Sequence, residues 1–276
     1  MTRIATRFEA LRDKGHRALV AYVTAGDPTP ERTPSIVAAL ERGGADIIEL
    51  GVPFSDPVAD GPVIQLASER ALAAGTTLVR VLDIAREIRR ASEIPLLLFS
   101  YLNPLLRHGF DRLAAEARDI GIDGCLITDL SVEEAAEAVA KLRLAGLDIV
   151  FLAAPTSTPR RLNLIAEYSS GFVYLVSRAG VTGEQAKLSD SIGPLVSAMR
   201  QATRLPLAVG FGISTPEQAA QVGEWADAVV VGSAYVRLVE KYGAAADLEQ
   251  RLEEFTRRLK APLEMPVAGS SRTVDR

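Results

Sequence analysis

The feature that most constrains the fold is an alternation of strand-like and helix-like segments that runs through the chain without a linker-like break. Short apolar runs alternate with longer segments of helical periodicity, and the loops that follow the apolar runs contain Gly, Pro, Asp or Ser. This order favours a parallel sheet closed into a barrel over an open sheet. Such a barrel typically needs about 250 residues, and the chain has 276. The predicted strands are Ala18–Val23, Asp46–Leu50, Pro95–Phe99, Gly124–Ile127, Asp148–Ala153, Phe172–Val176, Pro206–Gly210 and Ala226–Val231.

The helical segments complete a single (β/α)8 TIM barrel of class α/β, with an extra N-terminal helix at Arg7–Lys14 and additional short helices. We expect one domain over residues 1–265. Residues 266–276 show no periodicity, and we expect a disordered tail there. The other predicted helices are Pro34–Arg42, Val63–Ala74, Leu78–Arg90, Phe110–Asp119, Val132–Leu144, Pro159–Tyr168, Ile192–Ala202, Pro216–Val222, Ala234–Glu240 and Ala246–Leu259.

Charge and composition narrow the function classes. The net charge of −4 argues against a nucleic-acid partner. No apolar run approaches the length of a membrane span, and the charged segment Met1–Lys14 lacks a signal-peptide core. The lone Cys125 excludes an internal disulfide and fits a reducing compartment. We therefore expect a cytoplasmic protein.

The stretch from Asp46 to Pro62 carries the first chemical signal. A carboxylate, Glu49, lies near the end of a strand that we expect to be buried, and a stiff loop with Asp56 and Asp60 follows. Catalytic residues of barrels lie at the carboxyl ends of strands. A buried acid must be paired, protonated or used, whereas acids in loops are usually solvated. The pattern alone leaves the role of Glu49 open between structure and function.

Glycines after the last three strands suggest an anion site. The three sites, in consecutive loops, are Gly183, Gly210 with Gly212, and the pair Gly232-Ser233. Glycine lets backbone N–H groups approach a phosphate closely, and Ser233 would open a helix whose N-terminus favours negative charge. Any one of these glycines could be an ordinary turn glycine, but three in consecutive loops favour a phosphate site.

Other cofactor chemistries find no support in the sequence. No lysine lies at a plausible strand end for a Schiff base, and no Gly-x-Gly-x-x-Gly follows a strand. His16 and His108 have no Cys, His or acid cluster around them, so we expect no metal site. The residues therefore indicate an enzyme with no cofactor of its own, which uses carboxylates and a phosphate anchor.

Several ordered motifs together resemble the tryptophan synthase alpha subunit family. They are Thr24–Pro28, Glu49–Gln65, Ser177–Gly183, Gly210–Ser214 and Gly232-Ser233. The resemblance covers nearly the whole chain and implies a carbon–carbon lyase. Its reaction would be retro-aldol cleavage of indole-3-glycerol phosphate to indole and glyceraldehyde 3-phosphate.

The resemblance also implies roles for individual residues. Glu49 matches the acid/base residue, Asp60 the acid that pairs with the indole N–H, and Tyr174 a pocket tyrosine near Glu49. A plain core tyrosine is an equally open interpretation of Tyr174. Thr182 would contact Asp60 when the loop Arg178–Asp190 closes as a lid. The implied substrate-binding residues are Tyr22, Phe99, Tyr101, Leu126, Thr182, Gly183, Phe211, Gly212, Gly232 and Ser233.

The resemblance implies a partner as well. A beta subunit that holds pyridoxal phosphate would receive indole within an alpha2beta2 complex, and would touch Pro53, Asp56 and the loop around Ser131. The family commonly has proline where this chain has Ser131, so the strength of coupling stays open. Two alternatives remain: a stand-alone indole-releasing lyase, and a catalytically silent subunit that binds the substrate to activate a partner. The presence of both Glu49 and Asp60 argues against the silent subunit.

Overall fold

The structure, a computed structural model, describes residues 2–176, 192–210 and 212–265. Its strands pair in parallel in one sheet with the order β5-β4-β3-β2-β1-β9-β8-β7-β6. The strands are β1 Ala18–Thr24, β2 Ile47–Gly51, β3 Leu96–Ser100, β4 Gly124–Ile127, β5 Asp148–Val150, β6 Leu152–Ala153, β7 Val173–Val176, β8 Leu207–Gly210 and β9 Ala228–Val231.

The two ends of this sheet meet in one stretch of chain. β5 pairs with β4, whereas β6 pairs with β7, and Phe151 alone separates β5 from β6. The predicted fifth strand Asp148–Ala153 is therefore broken at Phe151, and its two pieces join both edges of the sheet. The barrel prediction is confirmed, since this junction closes the ring.

Helices follow the strands in chain order, as predicted. The short helix α5 is absent from the predicted helices; its Pro104 lies in the first helical turn, where proline is tolerated. The predicted helix Val132–Leu144 begins one turn later, at Ala136. The helices are α1 Arg3–Asp13, α2 Thr33–Arg42, α3 Pro62–Ala73, α4 Leu78–Arg89, α5 Leu102–His108, α6 Phe110–Ile120, α7 Ala136–Leu144, α8 Pro159–Tyr168, α9 Ile192–Ala202, α10 Pro216–Gly223, α11 Ser233–Tyr242 and α12 Leu248–Lys260. In the part of the chain described, no helix has the length and apolarity to cross a membrane.

Alternate residues of each strand face the inside of the barrel. In β1, Ala18 and Val20 belong to the cluster that fills the barrel, whereas Leu19 and Ala21 pack outward under the helices. This alternation follows from the two-residue repeat of a strand. Helix α1 closes the bottom, because its Ile4 and other apolar residues join the inner cluster. At the carboxyl end of each strand, the inward-facing side chains therefore face the space above the apolar core of the barrel.

Buried and half-buried carboxylates secure the opposite, N-terminal end of the barrel. At three turns the aspartate before one strand accepts a backbone N–H from the preceding strand at 2.8 Å: Asp46 from Leu19, Asp123 from Leu96, and Asp227 from Leu207. Cations balance these acids; Lys260 contacts Asp46 at 2.6 Å, and Arg3 of α1 contacts Asp123 at 3.1 Å. This end of the barrel carries structural ion pairs.

Candidate active site

A cavity of about 650 Å³ opens at the carboxyl ends of the strands. This is the end at which (β/α)8 barrels hold their active sites. Its lining is mainly apolar and includes side chains from strands on opposite sides of the ring. The lining residues are Tyr22, Glu49, Ala59, Ile64, Phe99, Thr128, Leu152, Tyr174, Gly212, Ile213, Val230, Gly232 and Ser233.

Glu49 lies on the inner face of β2 and reaches the floor of this cavity. It pairs in register with Tyr22 of β1 and Leu97 of β3, and it is 1% exposed. Its Oε1 has no hydrogen-bond partner among the described residues. Burial raises the pKa of Glu49 to about 8, because the charged form loses its hydration. Near neutral pH the side chain is therefore mostly a protonated acid.

Two glycines make room for tyrosines at the same level. A Cβ on Gly51 would lie 2.4 Å from the Tyr22 hydroxyl oxygen, and one on Gly210 would lie 2.1 Å from that of Tyr174. Both distances are far below van der Waals contact. Tyr22 also packs edge-on against Phe99, with ring centroids 5.2 Å apart. The glycines at these strand ends therefore leave space for aromatic walls of the cavity.

Asp60 ends the loop after β2 and is held beside the cavity. The Tyr101 hydroxyl donates to Asp60 Oδ2 at 3.0 Å, and Gln65 Nε2 donates to the Asp60 carbonyl at 2.8 Å. Burial raises the pKa of Asp60 to about 6, and the hydrogen bond from Tyr101 opposes this rise. Asp60 is therefore mostly ionised at pH 7, in contrast to Glu49.

The opposite rim has the geometry of an anion site. Gly212 adopts a φ of +80°, which side chains disfavour, and it lines the cavity with Gly232 and Ser233. Gly232 is the N-cap of the ten-residue helix α11, and Ser233 is the first helical residue. The N–H groups and the positive end of the helix dipole thus face the cavity.

Most predicted site residues converge, but three of those described, Asp60, Tyr101 and Leu126, do not themselves line the cavity. Leu126 is fully buried one layer lower inside the barrel, and Thr128, two residues later on the same strand face, lines the cavity instead. The Tyr101 hydroxyl binds the Asp60 carboxylate from outside the cavity lining. Thr182, Gly183 and Phe211, together with the predicted lid Arg178–Asp190 and the predicted tail 266–276, lie outside the described residues.

Sequence reasoning also missed part of the lining. Thr128, Leu152 and Val230 each lie two residues beyond an inward-facing residue, so the two-residue repeat of an extended chain is the available signal. Ile64 and Ile213 come from a helix and a loop, for which the strand repeat gives no such signal.

A second concavity, a groove of about 920 Å³, lies on the outer surface next to the loop that follows β2. Predicted partner contacts fall on it in part: Pro53 is buried but lines the groove, whereas Asp56 is exposed. Ser131 is half-buried in another loop. The groove is lined by Pro53, Phe54, Ser55, Leu72, Thr77, Leu78, Val79, Asn103, Pro104, Arg107 and His108.

Metal or thiol chemistry gains no support from the described ranges. They contain no cluster of three or more His, Cys, Asp or Glu side chains arranged to hold a metal ion. Cys125 belongs to the cluster between sheet and helices, and burial raises its pKa to about 12. Its thiol is a packing group.

Buried acids beside a cavity at the carboxyl ends of the strands are the arrangement in which (β/α)8-barrel enzymes hold their active sites. The family model described as Tryptophan synthase alpha chain matches residues 8–264, and the chain belongs to this family. It is 65% identical to the tryptophan synthase alpha chain of Solibacter usitatus over 260 residues, which cover 94% of this chain and 97% of that one.

Solved structures agree with the family. A structure of Mycobacterium tuberculosis tryptophan synthase superposes with a TM-score of 0.88 at 36% identity, covering 96% of this chain and 99% of that chain. The tryptophan synthase alpha chain of Legionella pneumophila gives a TM-score of 0.87 at 37% identity, covering 98% and 99%. The family resemblance in the sequence motifs is thereby confirmed.

Proposed function

We propose that this chain is a carbon–carbon lyase that cleaves indole-3-glycerol phosphate to indole and glyceraldehyde 3-phosphate. The observation that carries the proposal is Glu49, a buried carboxyl group at the floor of an apolar cavity, one of whose oxygens finds no hydrogen-bond partner in the part of the chain that the structure describes. Family membership supplies the substrate, and the geometry supports a role for each group.

Cleavage of the bond between indole C3 and the side chain needs two proton movements. A proton is added to C3, which forms a cationic indolenine. The side-chain hydroxyl then loses its proton and becomes the aldehyde, and the electrons of the broken bond return to the indole ring. The proton gained at C3 matches the proton lost from the hydroxyl, and all bonding electrons stay within the two products, so no oxidant or reductant is required.

Glu49 is suited to the role of proton donor. With its pKa near 8 it is protonated at neutral pH and can deliver a proton to C3. The resulting carboxylate is then a base for the side-chain hydroxyl. Tyr174, which lines the same cavity and interacts with the Glu49 charge, would pack against the substrate.

Asp60 fits the partner of the indole N–H. Its pKa near 6 leaves a carboxylate at pH 7, and the positive charge of the indolenine strengthens that contact as it develops. Tyr22 and Phe99 would enclose the flat ring. Leu126 would support the indole ring only indirectly, from the apolar core below the cavity.

The phosphate would lie at the start of α11. Gly212, Gly232 and Ser233 line that side of the cavity and offer N–H groups and a hydroxyl. The resemblance adds Thr182, Gly183 and Phe211 to this proposal. No cofactor of this chain takes part in the proposed reaction.

Partnership with a tryptophan synthase beta subunit follows from the family. In our proposal the beta subunit holds pyridoxal phosphate, receives the indole and assembles with this chain as alpha2beta2 in the cytoplasm. The groove lined by Pro53 and Phe54 has exposed apolar side chains, Val79 among them, that suit such a contact. Asp56 and the loop around Ser131 would extend it. The family match does not favour a stand-alone lyase or a silent activator.

Indole release from indole-3-glycerol phosphate tests the proposal directly. The purified chain is assayed alone and with a matched beta subunit, and Glu49→Gln serves as the variant. We expect slow release alone, faster release with the partner, and a loss of about 10²–10⁴-fold in the variant. Absence of indole from the wild-type chain under both conditions would overturn the assignment, and near-normal turnover in Glu49→Gln would remove Glu49 from it.

A further inference from the structure

Tyr101 lies outside the cavity lining, yet its hydroxyl makes two directed hydrogen bonds at the rim. The phenol oxygen accepts the backbone N–H of Ala59 at 3.0 Å and donates to Asp60 Oδ2 at 3.0 Å. Tyr101 follows β3 directly, at the N-cap of α5, and its side chain is buried. A rigid element of the barrel thus contacts two successive residues of the loop after β2.

We propose that Tyr101 is a positioning residue, which fixes the direction of the Asp60 carboxylate and favours its ionised form. The inference rests on the proposed function of Asp60 as acceptor of the indole N–H. It deepens that function, because it explains how an acid in a proline-rich loop acquires a defined orientation and charge.

The polarity of the two hydrogen bonds carries the argument. A tyrosine hydroxyl can donate one hydrogen and can also accept. Because Ala59 N–H can only donate, it occupies an acceptor position on the phenol oxygen. The phenol hydrogen is then directed at Asp60 Oδ2. A donor to a carboxylate stabilises the ionised acid relative to the protonated one.

The groups around Asp60 make this donor important. Among the described residues, the titratable side chains that interact with the Asp60 charge are Tyr22 of β1, Tyr174 of β7 and Tyr101, which follows β3. All three are neutral phenols near pH 7, since burial raises each pKa above its ordinary value. Burial pushes the pKa of Asp60 up to about 6, and the Tyr101 hydrogen bond acts in the opposite direction.

A different residue holds the main chain at the same point. Gln65 of α3 donates from Nε2 to the Asp60 carbonyl at 2.8 Å and does not act on the carboxylate in that bond. Loop position and carboxylate chemistry can therefore be separated by substitution. Gln65→Met removes a main-chain contact alone, whereas Tyr101→Phe removes the donor to the acid together with the acceptor of the Ala59 N–H, and keeps the ring.

The test compares pH profiles of kcat/KM for indole release in wild type, Tyr101→Phe and Gln65→Met. Loss of a hydrogen bond to a charged group should move the acidic limb of Tyr101→Phe upward by about one pH unit. Its activity should therefore fall most below pH 7 and recover toward pH 8. Gln65→Met should lower activity without moving the limb, and Tyr242→Phe, a distant tyrosine on α11, should do neither.

A readout independent of turnover keeps the inference separate from the proposed reaction. Aspartate labelled with ¹³C at the carboxyl group reports the titration of Asp60 by NMR, with Asp60→Asn used to assign the signal. We expect a higher midpoint in Tyr101→Phe than in wild type. Replacement of Tyr101 by 3-fluorotyrosine keeps the fold-supporting ring and hydroxyl but strengthens the donor, and should lower the midpoint.

Failure of each idea has its own signature. If wild type releases no indole, the proposed function fails, while the NMR titration still tests the hydrogen bond. If wild type is active but Tyr101→Phe leaves both the pH limb and the Asp60 midpoint unchanged, the positioning role is overturned. An equal shift of the limb in Tyr101→Phe and Gln65→Met would also overturn it, since loop position alone would then account for the effect.

Discussion

Phe54 packs on Tyr101, with ring centroids 5.2 Å apart and the ring planes tilted by 31°. Phe54 lines the outer groove, and Tyr101 donates a hydrogen bond to Asp60. A partner bound in the groove would therefore be linked to a proposed catalytic carboxylate through two contacts, Phe54 on Tyr101 and Tyr101 on Asp60. Such a chain of contacts can bias the loop after β2 toward one arrangement, which is a population shift.

We predict that Phe54→Leu weakens activation by the beta subunit more than it weakens the basal rate. An aromatic pair is worth about 1 kcal/mol beyond burial, so the acceleration should fall by about fivefold. The measurement is the ratio of indole release with saturating beta subunit to release without it. Leu144→Ala, which removes an exposed side chain at the end of α7, is the control. An unchanged ratio in Phe54→Leu would exclude this route of coupling.

Glu49 should make the folded protein less stable as pH rises. In the unfolded chain Glu49 ionises near its ordinary pKa, whereas in the folded protein it ionises near pH 8. Between about pH 5 and pH 8 ionisation therefore favours the unfolded chain, and the cost approaches about 5 kcal/mol at most. Glu49→Gln cannot titrate and should lose this part of the pH dependence.

Melting temperatures measured from pH 5 to pH 8 check that expectation. The gain of Glu49→Gln relative to wild type should grow with pH across the window. Glu87→Gln, on the exposed face of α4, is the matched control and should follow wild type. Parallel curves for wild type and Glu49→Gln would show that the folded protein does not hold Glu49 in its protonated form.

Much of the site could be predicted because strand periodicity and family motifs point to the same residues. The family resemblance predicts Glu49, Tyr22 and Phe99 as site residues, and all three line the cavity. Leu126 was placed one layer too high, since a motif identifies the strand but not the depth at which the apolar filling ends. The two-residue repeat continues to Thr128, which lies at the level of the cavity.

Other features depended on contacts that no local pattern encodes. The break at Phe151 arises because one strand must pair with β4 on one side and β7 on the other to close the ring. The family resemblance predicts that Tyr101 contacts the substrate. In the structure its hydroxyl instead binds a loop some forty residues earlier in the chain, and no local pattern reveals that contact. Long-range pairing of this kind is invisible to propensity and spacing.

The pair of Lys260 and Asp46 offers a stability test away from the cavity. Their side chains are 6% and 5% exposed, and Lys260 Nζ contacts Asp46 Oδ2 at 2.6 Å. Lys260→Met should cost about 3 kcal/mol because it leaves a buried carboxylate with less compensation. The double variant Asp46→Asn with Lys260→Met should recover part of that loss.

Thermal unfolding and indole release at 25 °C separate the two ends of the barrel. We expect Lys260→Met to have a lower melting temperature but nearly normal indole release at 25 °C. Arg86→Met, which breaks an exposed pair with Asp83, should change stability by less than about 1 kcal/mol. Equal effects of the two substitutions would mean that burial adds nothing to the Lys260 pair.

Gly210 should be intolerant of even one methyl group. Its Cβ would lie 2.1 Å from the Tyr174 hydroxyl oxygen and 2.6 Å from the adjacent ring carbon. Gly210→Ala must displace the ring that walls the cavity, and misplacement of that size should reduce kcat/KM by about tenfold or more. Gly193→Ala, in helix α9 with open space at its Cβ, should keep activity and gain about 0.5–1 kcal/mol. Normal activity in Gly210→Ala would show that Tyr174 can move without consequence.

Ser233 and Gly212 should act on the phosphate and leave the indole end unaffected. Ser233 is the first residue of α11 and Gly212 has a φ of +80°, so Ser233→Ala removes a donor and Gly212→Val strains the turn that faces it. A hydrogen bond to a charged group is worth about 1.5–3 kcal/mol, which predicts at least a tenfold weaker affinity for glyceraldehyde 3-phosphate in Ser233→Ala.

Titration calorimetry with glyceraldehyde 3-phosphate and, separately, with indole distinguishes the two ends of the cavity. Indole affinity should stay within about twofold in Ser233→Ala, because the aromatic walls at Tyr22 and Phe99 are untouched and each factor of ten corresponds to about 1.4 kcal/mol. Ser35→Ala, on the outer face of α2, is the control and should change neither affinity. If Ser233→Ala and Gly212→Val both bind glyceraldehyde 3-phosphate normally, the phosphate does not lie at the start of α11, and the helix N-terminus is then a structural end without a ligand.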